Sequence, residues 1–277
     1  MPDCFFEPLS IDSGEVFEGT FLGTSATAGP WASESMHAGP PSALLAHAAT
    51  HVGGIPPGGL AARVCVEILR PVRVGGVQVW AKTIRPGRRV ALVEAGLLVE
   101  GQPVMLARVW VIRREDLADV PETPTAPPPG AGGPLPEMPR GWGGGPPTKW
   151  GSGYLDAIAW ESVAGSFAEL GPATVWARPK IALIGGREIS GAERVMLIAD
   201  SGNGISAAAD PRQWSFLNTE LTVHLHRLPV SERVWMAAKT VLGSEGVGLA
   251  STVIGDEAGA IGTAAQTLFV DRRGDRA

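Results

Sequence analysis

Two polar side chains occupy positions in this 277-residue chain where its pattern calls for apolar ones. Asp200 follows the apolar run 195–199, and Gln266 interrupts the apolar face of the last predicted strand. Burial raises the pKa of a carboxylate that lacks partners, and a buried amide without hydrogen bonds costs about 1–3 kcal/mol. Because perturbed carboxylates cluster at functional sites, both residues are candidate site residues. The alternatives are that Asp200 caps the turn at 201–204 and that Gln266 makes a structural hydrogen bond.

Asn218 and Thr219 are further candidates, because they open a strand with a clear alternation. After Thr219, the residues Leu221, Val223 and Leu225 share one face, which predicts a half-buried antiparallel strand. Either Asn218 or Thr219 could hold a water molecule or a carbonyl group. Thr219 shares the apolar face, whereas Asn218 faces away unless a bulge turns it. Ordinary polarity at a strand edge is the structural alternative.

A predicted helix start supplies a third group of candidates. Pro40 and Pro41 follow His37 and Gly39 and precede an Ala- and Leu-rich segment, and prolines suit the first turn of a helix. Helix amino termini present free backbone N–H groups that favour an anion or a polarised carbonyl. The Gly39 amide is therefore a candidate oxyanion donor. His37 is a candidate substrate-binding residue, with an ordinary loop role as the alternative.

Three arginines cluster at a predicted hairpin. Arg85, Arg88 and Arg89 could meet the phosphates of a ligand, which makes them candidate substrate-binding residues. A solvated turn is the simpler interpretation, because exposed charges contribute little to stability.

Two histidine pairs have spacings that a metal ion can use. His47 and His51 are four residues apart on the first predicted helix, and His224 and His226 lie on one face of a predicted strand. The sequence pattern indicates no third ligand for either pair. We therefore predict no metal and no cofactor.

Composition and charge argue against several classes of protein. The net charge is -5 and the sequence pI is about 5.6, so no basic surface for nucleic acid is expected. The motifs Gly-x-Ser-x-Gly, Gly-x-x-x-x-Gly-Lys and Gly-x-Gly-x-x-Gly are absent, which argues against a serine hydrolase or a nucleotide-driven enzyme. No apolar run reaches the roughly 18 residues of a membrane span, and the amino terminus lacks a signal-peptide pattern. We expect a cytoplasmic protein without membrane association, in which Cys4 and Cys65 are reduced.

The chain contains an internal repeat. Arg227 follows Arg70 by 157 positions, and Lys239 follows Lys82 by the same interval. Each repeat reads as a strand, a central helix and an antiparallel meander, so the predicted class is α+β with two fused units. The first repeat places Arg108 at the position that matches Gln266, which predicts a polar group there in both units.

A Pro- and Gly-rich segment separates the repeats. We predict an amino-terminal unit at 1–115, a linker at 116–153 and a carboxy-terminal unit at 154–277. Within the linker, Trp142 and Trp150 are candidate anchors against the surface. The central helices are predicted at 42–52 and 192–201, and 31–39 is predicted to be a polar loop. A site formed where the two units meet is the natural expectation.

Four motifs in this order resemble one family. They are 37–45 (His-Ala-Gly-Pro-Pro-Ser-Ala-Leu-Leu), 198–200 (Ile-Ala-Asp), 218–227 (Asn-Thr-Glu-Leu-Thr-Val-His-Leu-His-Arg) and 265–268 (Ala-Gln-Thr-Leu). With the repeat, they resemble the double-hotdog acyl-CoA thioesterases of the thioesterase II type. The resemblance implies a double hotdog fold, in which each central helix is wrapped by a curved antiparallel sheet.

The resemblance also implies an activity. In that family an Asp, a Thr or Asn and a Gln orient a water molecule onto a thioester, and these roles fall on Asp200, Asn218 and Gln266, with Thr219 as the alternative to Asn218. The Gly39 amide would hold the oxyanion, although Ala38 replaces the first glycine of the family's His-Gly-Gly element. The implied substrate is an acyl-CoA or an acyl group on a carrier protein, and a homo-oligomer is expected. The alternative is a non-hydrolytic hotdog protein that binds or tailors an acyl or polyketide-like ligand.

Overall fold

The computed structural model of the chain describes residues 2–117, 119–121, 123, 125–127, 153–165 and 167–273. The predicted anchors Trp142 and Trp150 lie outside these residues, as does most of the predicted linker. The first half of the chain contains β1 (Cys4–Ser13), β2 (Val16–Gly23), a 3-10 turn (Ser25–Thr27), β3 (Ala28–Gly29), β4 (Ala32–Met36), α1 (Gly39–Thr50), β5 (Leu60–Ile68), β6 (Gly76–Arg85), β7 (Val90–Val99) and β8 (Gln102–Ile112).

The second half has a closely similar series. It contains α2 (Tyr154–Ala157), β9 (Ile158–Ala164), β10 (Ala173–Pro179), β11 (Ala182–Ile184), α3 (Gly191–Ala199), α4 (Gly202–Ile205), β12 (Trp214–Asn218), β13 (Glu220–Leu225), β14 (Val234–Leu242), β15 (Val247–Asp256) and β16 (Gly259–Arg272).

One large sheet joins the two halves of the chain. Its strand order is β11-β1-β2-β6-β7-β8-β5-β13-β16-β15-β14-β10-β9, with β12 also paired to β16. The order β1-β2-β6-β7-β8-β5 in the first half has the same form as β9-β10-β14-β15-β16-β13 in the second. The halves meet where β5 pairs antiparallel with β13, with Cys65 opposite Thr222. Position 222 follows position 65 by 157 residues, the interval of the sequence repeat.

The two longest helices pack against each other and against strands of the sheet. Helix α1 is Ala- and Leu-rich and buried on nearly every side, and the proline at its second position suits a helix start. Helix α3 begins with a capping box, in which Ser190 accepts from the Glu193 amide and the Glu193 side chain accepts from the Ser190 amide. A Cβ atom at Gly39 would overlap the Leu197 carbonyl oxygen, so glycine allows the start of α1 to approach the end of α3.

A strand from the second half completes the edge of the first. Strand β11 pairs in parallel with β1, with Cys4 opposite Ala182 and Phe6 opposite Ile184. Phe5 and Phe6 of β1 are fully buried. Because β5 pairs with β13 as well, the first half is bound to the second at both edges of its sheet.

A buried ion pair fixes the turn between β15 and β16. Asp256 is fully buried and accepts two hydrogen bonds from the Arg227 guanidinium, at 2.6 and 2.7 Å. It also accepts from the Val230 and Ala258 amides. Burial raises the pKa of the Asp256 carboxyl, but the Arg227 hydrogen bonds and the two amides outweigh burial, so the net pKa lies below its ordinary value.

Several local predictions need correction. The predicted loop 31–39 contains β4, which pairs with β3, and β1 was not predicted at all. The predicted helices are shifted slightly, to Gly39–Thr50 and Gly191–Ala199. The predicted strand that begins at Thr219 is confirmed from Glu220 onward, with Leu221, Val223 and Leu225 buried.

Candidate active site

Asp200 lies at the carboxy-terminal end of α3, where it is the C-cap residue. It is only 3% exposed, so its carboxylate needs partners inside the protein. Its Oδ1 atom accepts a hydrogen bond from Asn218 Nδ2 at 2.8 Å and one from Gln266 Nε2 at 3.3 Å. Asn218 and Gln266 therefore both contact Asp200 directly, as sequence reasoning proposed, although Gln266 follows Asp200 by 66 positions.

An irregularity between β12 and β13 turns Asn218 toward the carboxylate. Thr219 lies between the two strands, and both strands pair with β16. Thr219 is exposed, and its hydroxyl donates to the Thr267 carbonyl oxygen at 3.3 Å. The structure therefore brings Asn218 to Asp200 and leaves Thr219 outside. Strict alternation along one strand had placed Thr219 on the apolar face and Asn218 on the opposite face.

Gln266 has partners at both ends of its amide. Its Nε2 donates to the Asp200 carbonyl oxygen at 3.1 Å as well as to the carboxylate, and its Oε1 accepts from the Asn203 amide at 3.0 Å. A Cβ atom at Gly202 would lie 2.9 Å from Oε1, so a glycine there leaves room for this contact. These bonds fix which end of the Gln266 amide faces Asp200.

The predicted counterpart of Gln266 in the first half is wrong. Arg108 lies on the outer face of β8, with a 61% exposed side chain that contacts Glu94. The interval of 157 places Val109, not Arg108, opposite Gln266 in the repeat, and Val109 is buried. The first half therefore has an apolar residue where the second half has the amide.

His37 is the fourth member of the cluster. Its Nδ1 atom lies 3.0 Å from Asp200 Oδ2 and 3.1 Å from the Gly39 backbone nitrogen. A ring nitrogen either carries a proton or offers one lone pair, so Nδ1 can donate to Asp200 or accept from Gly39 but cannot do both. The candidate oxyanion donor, Gly39 N–H, thus competes with Asp200 for the same imidazole atom.

Sequence reasoning missed Tyr154, which is fully buried beside His37. The two rings stack with centroids 3.8 Å apart and an interplanar angle of 11°. The Tyr154 hydroxyl donates to the Leu197 carbonyl oxygen and lies 2.9 Å from Ser201 Oγ. Burial raises the pKa of Tyr154 far above its ordinary value, so the hydroxyl stays protonated. The available signal was that this lone tyrosine follows a Gly- and Pro-rich segment.

The structure does not bring the three arginines to this site. Arg88 and Arg89 are exposed in the hairpin between β6 and β7, and Arg85 Nη1 donates to the Val90 carbonyl oxygen. The hairpin contacts the residues that follow α1, since the Gly87 amide donates to the Gly54 carbonyl oxygen. Gly39 lies at the other end of α1, about 16 Å away for a helix of this length. The arginines therefore lie apart from the Asp200 cluster, and their contact with the phosphates of a substrate stays a prediction.

The predicted histidine pairs have different environments. His224 and His226 are exposed at the end of β13. His47 Nδ1 lies 2.7 Å from Glu193 Oε1, and His51 completes a group whose possible ligand atoms lie within 4.8 Å of one another. Burial raises the pKa of Glu193, but the hydrogen bond and charge of His47, the Ser190 amide and His51 together outweigh burial, so the net pKa is lowered. His47 and Glu193, both buried, link α1 to α3, and the exposed His51 ring stacks on His47.

Comparisons with known proteins cover nearly the whole chain. Residues 27–112 match the acyl-CoA thioesterase N-terminal domain family, and residues 121–270 match the acyl-CoA thioesterase C-terminal domain family. No curated protein matches the chain in sequence. In the part of the chain that the structure describes, no helix has the length and apolar character needed to cross a membrane.

Solved structures with the same fold are distant in sequence. The acyl-CoA thioesterase II TesB2 of Mycobacterium marinum is 12% identical, with 97% of each chain covered and a TM-score of 0.66. A conserved protein of unknown function with a hot dog fold, from Alicyclobacillus acidocaldarius, is 14% identical over 95% of this chain and 96% of that one, with a TM-score of 0.68. The TesB protein of Mycobacterium avium subspecies paratuberculosis is 15% identical over 92% and 93%, with a TM-score of 0.63. These likenesses show that the chain has the hotdog fold.

Proposed function

Because this chain belongs to the acyl-CoA thioesterase family, we propose that it hydrolyses acyl thioesters by direct attack of a water molecule activated at Asp200. The observation that supports this proposal best is the direct contact of Asp200 with Asn218 and Gln266. A buried carboxylate held by two side-chain amides is suited to orient and deprotonate a water molecule. We also propose that the two halves are fused hotdog units, at 1–115 and 154–277, because their strands have the same order.

Asp200 would act as the general base. Asn218 and Gln266 both donate to Oδ1, which fixes the carboxylate plane, and Oδ2, which one lone pair joins to His37, takes the proton with its other lone pair. As the water oxygen bonds to the thioester carbon, its proton passes to Oδ2, and the tetrahedral intermediate collapses with cleavage of the carbon–sulfur bond. The thiolate leaves and takes a proton from Asp200 or from solvent. General-base catalysis of this kind contributes about 10²–10⁴-fold.

His37 would connect the base to the oxyanion donor. When Nδ1 carries a proton, it donates to Asp200 Oδ2, and the Gly39 N–H is then free to bind the thioester oxygen. When Nδ1 is unprotonated, it accepts the Gly39 N–H, and the donor is occupied. An oxyanion donor contributes about 10²–10³-fold, so the first arrangement is the active one in this proposal.

The substrate proposed from the family is an acyl-CoA or an acyl group on a carrier protein. The acyl chain would lie in apolar surroundings beside α1 and α3, which are both lined by buried aliphatic residues. Assembly as a homo-oligomer and a cytoplasmic location remain predictions.

The test is release of free thiol from a panel of acyl-CoAs of increasing chain length. We expect turnover by the wild-type protein and a decrease of at least about tenfold in kcat for Asp200→Asn, as loss of a general base requires. Asp156→Asn is the matched control, because Asp156 is an exposed aspartate on α2 and should leave kcat unchanged. Unchanged activity in Asp200→Asn would reject the mechanism.

A non-hydrolytic hotdog protein remains the second candidate for one reason. Both oxygens of Asp200 and both ends of the Gln266 amide already have partners within the protein. Such a satisfied cluster could also serve structure alone, while the apolar interior binds an acyl ligand. Binding of acyl-CoAs without turnover across the panel would favour this candidate.

A further inference from the structure

Tyr154 contacts the candidate site with both parts of its side chain. Its ring covers the His37 imidazole in a nearly parallel stack, 3.8 Å between centroids. Its hydroxyl contacts Leu197 and Ser201, which lie on either side of Asp200 in the chain. One buried side chain therefore contacts both the imidazole and the backbone segment that presents the carboxylate.

The hydroxyl completes the end of α3. The Ser201 amide donates to the Ile198 carbonyl oxygen, so the Leu197 carbonyl does not receive the donor that a regular helix would give it. Tyr154 supplies that donor at 2.9 Å, and its oxygen is then available to accept from the Ser201 hydroxyl. The chain from Ser201 through Tyr154 to Leu197 fixes the last helical turn and hence the direction in which Asp200 leaves it.

The Tyr154 ring restricts the orientation of the His37 imidazole. The plane of the His37 ring must pass close to both Asp200 Oδ2 and the Gly39 nitrogen. Hydrogen bonds to an imidazole nitrogen weaken when the partner atom lies out of the ring plane. A flat aromatic neighbour at stacking distance resists tilting of that plane. Trp31, 53% exposed, approaches His37 with a centroid distance of 5.6 Å, so only Tyr154 of the two is stacked closely.

We propose that Tyr154 is a positioning residue for the thioesterase reaction, whose ring sets the plane of His37 and whose hydroxyl sets the place of Asp200. This inference rests on the proposed function for its kinetic consequences. Tyr154 itself contacts neither the water nor the thioester in this proposal and acts through the two residues that it holds.

Two substitutions separate the roles of ring and hydroxyl. Tyr154→Phe keeps the stack and removes the hydroxyl, and Tyr154→Leu removes both. We expect kcat to fall about tenfold in the first and about 100-fold in the second, with KM changed less than about threefold, because misplaced catalytic groups lower kcat rather than binding. Ser190→Ala is the matched control, since it removes the cap at the far end of the same helix and should leave kcat unchanged.

A spectroscopic measurement reports on His37 without any substrate. The stacked Tyr154 ring shifts the proton resonances of the His37 imidazole. These resonances can be assigned in solution NMR spectra by comparison with His37→Gln. We expect Tyr154→Leu to move these resonances downfield, Tyr154→Phe to leave them near their wild-type position, and Ser190→Ala not to move them. A cooperative thermal unfolding transition in each variant verifies that the spectra compare folded proteins.

The outcomes distinguish the two proposals. If the wild-type protein hydrolyses thioesters but both Tyr154 variants keep kcat within about twofold of it, the positioning role is overturned and the proposed function stands. If the wild-type protein hydrolyses no thioester, the proposed function fails, and the NMR comparison still decides whether the Tyr154 ring stacks on His37 as the positioning role requires. His37 resonances unchanged in Tyr154→Leu would overturn the positioning role in either case.

Discussion

The contact between Asn218 and Asp200 supports a sharp prediction, because a matched control is the next residue in the chain. Asn218→Ala removes the 2.8 Å hydrogen bond to Asp200 Oδ1, leaving Gln266 as the remaining side-chain amide on that oxygen. Thr219→Ala removes a neighbouring polar group that is exposed and bonded to the Thr267 carbonyl oxygen instead. The two substitutions thus separate a polar group in the cluster from one outside it.

The magnitude follows from the charge on the acceptor. Hydrogen bonds to charged groups contribute about 1.5–3 kcal/mol, which corresponds to a decrease of roughly 10–150-fold in kcat if the bond is needed to hold the base. For Thr219→Ala we expect a change of less than about twofold, since its exposed hydroxyl bonds to the Thr267 carbonyl oxygen and not to the carboxylate. The assay is the rate of thiol release at saturating acyl-CoA, with circular dichroism to verify folding. Equal kcat values for the two variants would refute the assignment of Asn218.

Two further predictions concern the framework of the site. Gly39→Ala places a methyl group against the Leu197 carbonyl oxygen. We therefore expect a loss of about 1–3 kcal/mol in the free energy of unfolding in urea, together with reduced kcat. A variant as stable and active as wild type would show that the helices can separate without consequence. Asp256→Asn leaves Arg227 without its buried charge partner, so we expect a loss of about 3–5 kcal/mol at neutral pH. Because the folded-state pKa of Asp256 is depressed, this difference should be constant above about pH 4 and shrink as the pH falls through that pKa, and a difference that persists in strong acid would contradict it.

The parts of the fold that sequence could predict are those with local signals. Alternation of buried residues identified the strand that contains Leu221 and Val223, and the Ala- and Leu-rich segment identified α1. Strand β1 has no such alternation, since it changes from buried at Cys4–Phe6 to mostly exposed afterwards. Its stability depends on pairing with β2 and β11, which no local pattern records.

The site shows the same division between local and distant signals. Asp200 and Gln266 were recognisable because each interrupts an apolar pattern. The inward turn of Asn218 depends on how two strand segments share β16, and the approach of His37 to Asp200 depends on how α1 packs on α3. Tyr154 could not be assigned a role because its neighbours at 197 and 201 are more than 40 positions away.

The pairing at both edges of the first half has a consequence for synthesis of the protein. When the ribosome has released only the segment through β8, the outer strands β1 and β5 both present unpaired backbone groups, because their partners β11 and β13 have not yet been made. Contacts between positions so far apart in sequence form slowly, and open strand edges invite pairing with other chains in the meantime. The nascent first half must therefore wait for more than 60 further residues before either edge is protected, and it is most exposed to edge-to-edge association during that interval.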